Sequence, residues 1–266
     1  MVFRLHDAGP ELLRGVLLEW GWEEYHDRRW EQEDWNFHCM HNLKTMRATF
    51  GSSLYDFNPK ALILPDNFTR SWLSNTRVRG SPSCYWICKP VDLSRSRGIF
   101  IFEKMRNLLY DCAVVVQKYI SEPLLISGYK FDLRIYVCVK SFHPLTVYIY
   151  QEGLVRFATE KYTLTSLSIP YVHLTKSSIN KLGPFYHAPN ERVVGRGCKW
   201  TLGKFRHFLH SQDVNELLLW QRINNIITLT LLTITPSSPA CHNRTELLGF
   251  DILPDVSFWR STRNPH

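Results

Sequence analysis

The 266 residues, 44% hydrophobic and 14% aromatic, suffice for a sizeable core in one to three lobes and exclude a chain disordered over most of its length. A formal net charge of +8 favours an anionic partner: a phosphorylated cofactor, an acidic polypeptide, an acidic lipid face or nucleic acid. The seven cysteines include no CxxC pair, which argues against a zinc framework and for reduced thiols in a cytosolic protein.

Residues 1–7 lack the apolar run of a signal peptide. Residues 2–5 predict a short strand. A helix follows, with Pro10 suited to its first turn and Gly21 to its stop, so the chain opens in an α/β manner. Residues 23–35 mix charge with tryptophan and carry no assignment. Residues 61–64 form a short apolar strand ended by Pro65, and residues 69–83 are polar enough to be a linker. Residues 85–90 predict a strand that delivers Lys89 at its end. A Ser/Arg loop over 91–98 and a strand over 99–102 complete a pattern that suits a flap over phosphates. Residues 103–111 predict a helix.

The stretch from Val114 onward, VVVQKYISEPLLISGYKFDLRIYV, is the most informative part of the chain. Strand period puts Lys130, Asp132 and Arg134 on one face and Phe131, Leu133, Ile135, Val137 and Val139 on the other. Such a strand is half core and half working surface. Just upstream, Gln117, Lys118, Tyr119 and Ile120 end another strand, whose backbone suits the edge of a planar base. A hairpin is expected between residues 146–150 and 154–157, turning at Gln151-Glu152-Gly153. Residues 199–210 and 214–234 predict helices. The apolar run 223–236 holds two asparagines and several threonines, and is expected to be too short and polar to span a bilayer, which takes about 20 apolar residues. Residues 247–253 predict a last short strand.

Lys89, Lys130 and the loop Ser94-Arg95-Ser96-Arg97-Gly98 together suggest a polyphosphate cradle, because phosphate oxygens need close point charges, forked donors and a small residue where backbone approaches. There is no P-loop and no GxGxxG. Asp251 is an acid on an otherwise apolar strand; it needs a hydrogen bond, a cation or a metal, or it caps the next turn. The eleven histidines form no HExxH motif and read as ordinary surface or half-buried imidazoles. No nucleophile elbow or catalytic cysteine signature is present.

These residues resemble the tubulin–tyrosine-ligase-like family. The runs are SCYWICKP (83–90), RSRGI (95–99), VQKYISEPLL (116–125), KFDLRIYV (130–137), YQEGLVRFATEKY (150–162), HLTKSSINK (173–181), GCKWTL (197–202) and ELLGFDIL (246–253), in the family's order and over most of the chain. The resemblance implies an α/β (α+β), ATP-grasp-like fold with a nucleotide held between two β-sheet lobes. It also implies ATP-dependent ligation of an amino acid, most often glutamate, to acidic tubulin tails through an acyl-phosphate. The expected organisation is a shortened N-terminal lobe (1–75), a central lobe with a phosphate flap (76–120), a C-terminal lobe (121–253) and an atypical tail (254–266).

Residue by residue, the resemblance implies that Lys89 and Lys130 hold phosphates and that Arg97 and Gly98 belong to the flap. Gln117, Lys118, Tyr119 and Ile120 would meet adenine, Asp132 the sugar end, and Thr175 would lie next to ATP. Arg156, Ser178 and Lys199 would bind the incoming amino acid, and Asp251 would bind Mg2+. Lys130, Arg134 and Arg156 would be the catalytic cations.

Three departures stand out. Lys176 takes the place of the family's Asn after His-Leu-Thr. An Asn-His-Pro-Gly segment and its Arg-Lys-Asp run are missing where Trp35–Met40 meets His41–Lys44. The family's closing strand, with its Glu and Asn magnesium ligands, is replaced by residues 254–266, where Asn264 and His266 fall at those places. The Mg2+ site is therefore expected to be incomplete, ligation slow or absent, the last strand missing and the exposed sheet edge poorly soluble.

The expected partners are tubulin or microtubules with acidic tails and free L-glutamate, with no nucleic acid, no membrane insertion and a monomeric state. The expected location is the cytoplasm and cytoskeleton, with the cilium or basal body as a specific candidate. An alternative is a catalytically impaired tubulin-binding remnant. Charge alone also fits a nucleic-acid-binding module, but no RNP or helix-turn-helix pattern supports one.

Overall fold

The computed structural model describes residues 2–3, 11–19, 21, 23–24, 35–64, 85–90, 98–103, 113–186, 194, 199–237 and 245–256. The expected linker (69–83), Arg97, most of the helix predicted over 103–111, and the tail beyond Val256 lie outside the described residues.

The chain divides into two compact units, residues 1–35 and 36–266. In the first, β1 (Val2–Phe3) and β2 (Glu23–Glu24) pair in parallel around α1 (Glu11–Glu19). Gly21, at φ +74°, sits just past the helix and its N–H returns to Leu18 O at 2.9 Å. A left-handed turn of this kind suits glycine, so the expected helix stop is where the sequence puts it.

The second unit opens with α2 (Trp35–Phe50) and the single turn α3 (Ser52–Tyr55). The run from Trp35 into Lys44, read as the scar of a missing segment, is continuous helix. A four-stranded antiparallel sheet follows, in the order β3 (Ala61–Leu64), β6 (Val114–Lys118), β4 (Trp86–Pro90), β5 (Phe100–Phe102). Leu64, Trp86, Cys88, Phe102, Val114 and Val116 form its buried face.

The larger sheet runs β10 (Lys199–Thr201), β9 (Leu145–Lys161), β8 (Tyr129–Phe142), β11 (Glu246–Ile252), with β7 (Leu125–Ile126) paired to the start of β8. The odd row of β8 is fully buried: Phe131, Leu133, Ile135, Val137 and Val139 are each 0% exposed. They pack on α6 (Leu202–Ser211) and α7 (Glu216–Ile234) through Phe205, Leu209, Leu219, Ile223, Ile227 and Leu231. The period-2 row of the strand thus meets the 3.6-period row of a helix.

The structure corrects three expectations. There is no hairpin at Gln151-Glu152-Gly153: β9 is one 17-residue strand, and two steps of β8 (Ile135 to Val137) face four of β9 (Gly153 to Ile149). The three residues belong to a bulge, which uses the same residue types as a turn. Gly153 is required there because a β-carbon would overlap the Arg134 carbonyl and crowd Leu202.

Residues 199–201 are strand rather than helix; Thr201 then caps α6 by accepting from Lys204 N–H. The apolar helix begins at Glu216, spans 19 residues, and by length and composition alone is sufficient to cross a membrane. Its apolar row is spent on the sheet described above.

The other face of the small sheet carries Ile87, Ile101 and Tyr119, which pack against Tyr162, Leu164, Leu167 and Leu174 from the segment after β9. That cluster packs the small sheet against the segment that follows β9. Beyond β11 the chain folds back, with Pro254 O accepting from Leu124 N–H and Val256 N–H donating to Glu122 O.

Candidate functional site

Two cations arrive from different sheets. Lys89 stands near the end of β4 and donates to Gln117 Oε1 at 2.7 Å; Gln117 in turn donates to Asn58 Oδ1 at 2.9 Å. Lys130, 5% exposed, starts β8 and donates to the Tyr119 hydroxyl at 2.9 Å. Both bonds are to neutral partners, so neither ammonium has its charge cancelled by a bonded carboxylate. Burial lowers the pKa of Lys89 despite nearby Asp251. Burial likewise lowers Lys130 to about 7, with Asp132 opposing and Lys89 adding to the shift.

The neighbouring charges are paired. Asp132 lies opposite Arg156 in the β8–β9 register and receives it in a fork, Nε to Oδ1 at 2.8 Å and Nη2 to Oδ2 at 2.5 Å. Thr175 donates its hydroxyl to Asp132 Oδ2 at 2.7 Å. Asp251 lies opposite Arg134 in the β8–β11 register. Its Oδ1 is 2.7 Å from Arg134 Nη1 and 2.9 Å from Arg156 Nη2. Burial alone would lower the Arg156 pKa, but bonds to Asp132 and Asp251 outweigh it and raise it. Gly249 leaves room for this arrangement, since a β-carbon there would overlap the Arg134 guanidinium. Lys199 stands opposite Arg156 on β10, extending the row Asp132–Arg156–Lys199 across three strands.

The segment after β9 closes this side. Helix α4 (Pro170–His173) leads into Leu174, Thr175 and Lys176, and α5 (Ser177–Asn180) follows. Asn180, 1% exposed, uses its whole amide to tie this segment to β9. Its Oδ1 accepts from Thr159 N–H at 3.0 Å and Thr159 Oγ1 at 2.9 Å. Its Nδ2 donates to Leu174 O at 2.7 Å and Lys176 O at 3.1 Å. Thr175 is thereby held against Asp132.

Of the expected site residues, Lys89, Gln117, Tyr119, Lys130, Asp132, Arg134, Arg156, Thr175 and Asp251 come together, and Lys199 joins them by register. Tyr119 contributes its ring to this cluster, while its N–H is taken by Tyr85 O at 2.8 Å. Ile120 is half-buried beside it. Lys118 and Ser178 are exposed and make no side-chain hydrogen bond to the cluster among the described residues, and Gly98 is an exposed turn residue at φ +71°. Asn58, Tyr162, His173 and Asn180 belong to the site but were given no role from sequence. Tyr162, His173 and Asn180 lie inside motif runs, and that was their only signal.

The donor set fits polyphosphate: four cations, Lys89, Lys130, Arg134 and Arg156, stand around two carboxylates, and the two lysines are desolvated. It does not fit Mg2+ as it stands. Asp251 Oδ1 is held by two arginines, Asp132 by Arg156 and Thr175, and among the described residues no group of three or more His, Cys, Asp or Glu is placed to hold a metal.

A model of the tubulin-tyrosine ligase family matches residues 25–258. The chain is 44% identical over 292 residues to the probable tubulin polyglutamylase TTLL2 of Homo sapiens, covering 96% of this chain and 49% of that protein. It is equally similar to the Mus musculus counterpart, of which it covers 54%. It is 35% identical over 230 residues to the tubulin monoglutamylase TTLL4 of Mus musculus, over 80% of this chain and 18% of that one. The chain thus spans about half the length of the first two curated relatives. Because 292 aligned residues exceed the chain's own 266, those relatives carry residues that this chain lacks. Fold, site chemistry and similarity agree: the chain belongs to the tubulin-tyrosine ligase family, with its ATP-grasp-like architecture.

Proposed function

We propose that this chain is the nucleotide-binding ligase module of a tubulin polyglutamylase, joining glutamate to side-chain carboxylates of acidic tubulin tails. The observation that carries this reading is the lysine pair, half-buried Lys89 and buried Lys130, bonded only to neutral groups. Two desolvated amines in one cleft are costly unless an anion completes the site. ATP supplies the phosphoryl group that activates the acceptor carboxylate as an acyl-phosphate; the glutamate amine then forms the amide, losing a proton as phosphate leaves.

In this reading Lys89 and Lys130 hold phosphate oxygens. Asp132, fixed by Arg156 and Thr175, sits at the sugar end, and Ile120 and the Gln117–Tyr119 segment face the base. Arg156 and Lys199, neighbours on β9 and β10, neutralise the carboxylates of the incoming glutamate, with Ser178 at the rim. Such a site works by positioning and charge neutralisation rather than through a protein nucleophile. The net charge of +8 suits an acidic tail, and a cytoskeletal, cytoplasmic or ciliary location follows from the substrate.

A second reading is favoured by Asp251. Its engagement by Arg134 and Arg156, with no group of three or more His, Cys, Asp or Glu placed to hold a metal among the described residues, suits a tubulin-binding remnant with little ligase activity. One experiment separates the two: the chain incubated with ATP, Mg2+, labelled glutamate and tubulin. Label on tubulin that is abolished by Lys130→Ala supports the ligase. Co-sedimentation with microtubules and no label supports the remnant and overturns the ligase.

A further inference from the structure

The Lys130 amine is the terminus of a chain of hydrogen bonds that leaves the nucleotide cleft. Lys130 Nζ donates to the Tyr119 hydroxyl at 2.9 Å, and that hydroxyl lies 2.9 Å from His173 Nδ1. His173 Nε2 lies 3.0 Å from the carbonyl of Ser166. A carbonyl only accepts, so Nε2 carries the ring proton and Nδ1 presents a lone pair. The Tyr119 proton therefore points to His173, and the phenol oxygen turns its lone pairs to Lys130. Tyr162 also lies within reach of the Tyr119 hydroxyl, and its own hydroxyl donates to Ser121 O at 2.8 Å.

The surroundings fix the sense of this chain. His173 is 1% exposed and meets the rings of Tyr119 and Tyr162 edge-on, each at 5.7 Å. Burial lowers its pKa, the Ser166 bond opposes, and Lys130 lowers it further, so it stays neutral. Burial raises the Tyr119 pKa, so the phenol keeps its proton. The other charged or titratable groups facing Lys130 are Lys89 from β4, Asp132 on its own strand and Tyr162 after β9. None of them replaces Tyr119 as the bonded acceptor.

We propose that His173, acting through Tyr119, is a positioning residue that aims the Lys130 ammonium at the nucleotide phosphates and keeps it a donor. This deepens the proposed nucleotide site and rests on it for the identity of the anion, but the orientation of Lys130 is a property of the free chain. Removing the His173 acceptor frees the Tyr119 proton to turn toward the lysine nitrogen. A phenol donating to the amine stabilises the neutral form, so the ammonium is lost at lower pH and the phosphates lose their partner.

The test uses the full chain with 13C-labelled lysine, the Lys130 signal being assigned by its loss in Lys130→Arg. Its titration is followed in the wild type, His173→Phe and His173→Asn, and affinities for ATP and adenosine are measured by calorimetry. His173→Phe keeps an aromatic ring; His173→Asn restores an acceptor near the Nδ1 position. The expected result is that Lys130 titrates at lower pH in His173→Phe and recovers in His173→Asn. ATP affinity is expected to fall about tenfold in the first and recover in the second, with adenosine affinity retained. An unmoved Lys130 titration overturns the proposal, as does a parallel loss of ATP and adenosine affinity, which marks a merely structural histidine. A wild type that binds no ATP while Lys130 still responds to His173 leaves the orientation standing and removes the nucleotide reading.

Discussion

The two ends of the charged face on β8 treat their charges oppositely. At Asp132 and Arg134 every charge has a counter-charge: Arg156 forks onto Asp132, and Asp251 receives both arginines. At Lys130, two strand steps away, and at Lys89 on the smaller sheet, the hydrogen bonds go only to a phenol and an amide oxygen. The first end is complete in the free chain. The second is left without a counter-charge bonded to it, which is why the proposed nucleotide phosphates are assigned to that end. Residues of the first end hold the geometry, and in the proposed reading those of the second end give up stability for a ligand.

The contrast is open to direct attack. Asp132→Ala removes the forked partner of Arg156 in a place where both side chains are only 11% exposed, leaving the guanidinium only the more exposed Asp251. It is expected to cost about 3 kcal/mol in denaturant unfolding, the largest effect of the set. Lys130→Met is expected to do the reverse of a normal truncation: ATP affinity falls roughly 100-fold by calorimetry, while the thermal midpoint at pH 6 rises because a buried charge has gone. A lower midpoint there would place Lys130 with the self-completed end.

The pH dependence sharpens the same point. An unfolded lysine keeps its proton to about 10.4. Folded Lys130 loses its proton through about 7, so between these values the unfolded chain binds more protons and stability rises with pH. ATP affinity is expected to move the other way, weakening above pH 7 by at most about tenfold per unit as the amine must be recharged on binding. Melting curves and calorimetry from pH 6 to 9 report both slopes; parallel slopes would refute the assignment. The smallest effects belong to the exposed end of the paired network. Asp251→Ala is expected to cost about 0.5 kcal/mol. Gly249→Ala, which displaces Arg134 from the same contact, should do no additional harm in the double variant.

What the sequence disclosed follows from the range of the interactions. The alternation of β8 is local and was legible, down to the row Phe131 to Val139. Lys89 and Lys130 were legible as candidates because lysines at strand starts and ends stand out against apolar neighbours. Their mutual arrangement was not, since it depends on Tyr119 and the segment after β9 packing together. His173 looked ordinary because its partner Tyr119 is 54 residues away, and Asn58 because it meets Gln117 at a separation of 59. Gly153 misled because a bulge and a turn draw on the same residues. Composition put Asp251 first as a residue capping the next turn, ahead of a cation partner or a metal ligand, and only the register with Arg134 shows which contact it makes here.

Asn180 has a consequence for how this chain can drift. Its amide nitrogen and oxygen occupy nearly the same outline as the two oxygens of a carboxylate, so replacing one by the other changes no shape. It would abolish two of the four bonds and set a negative charge against the carbonyls of Leu174 and Lys176. The strap that presents Thr175 would then be pushed off β9 by a single-atom exchange, invisible to any comparison of side-chain size.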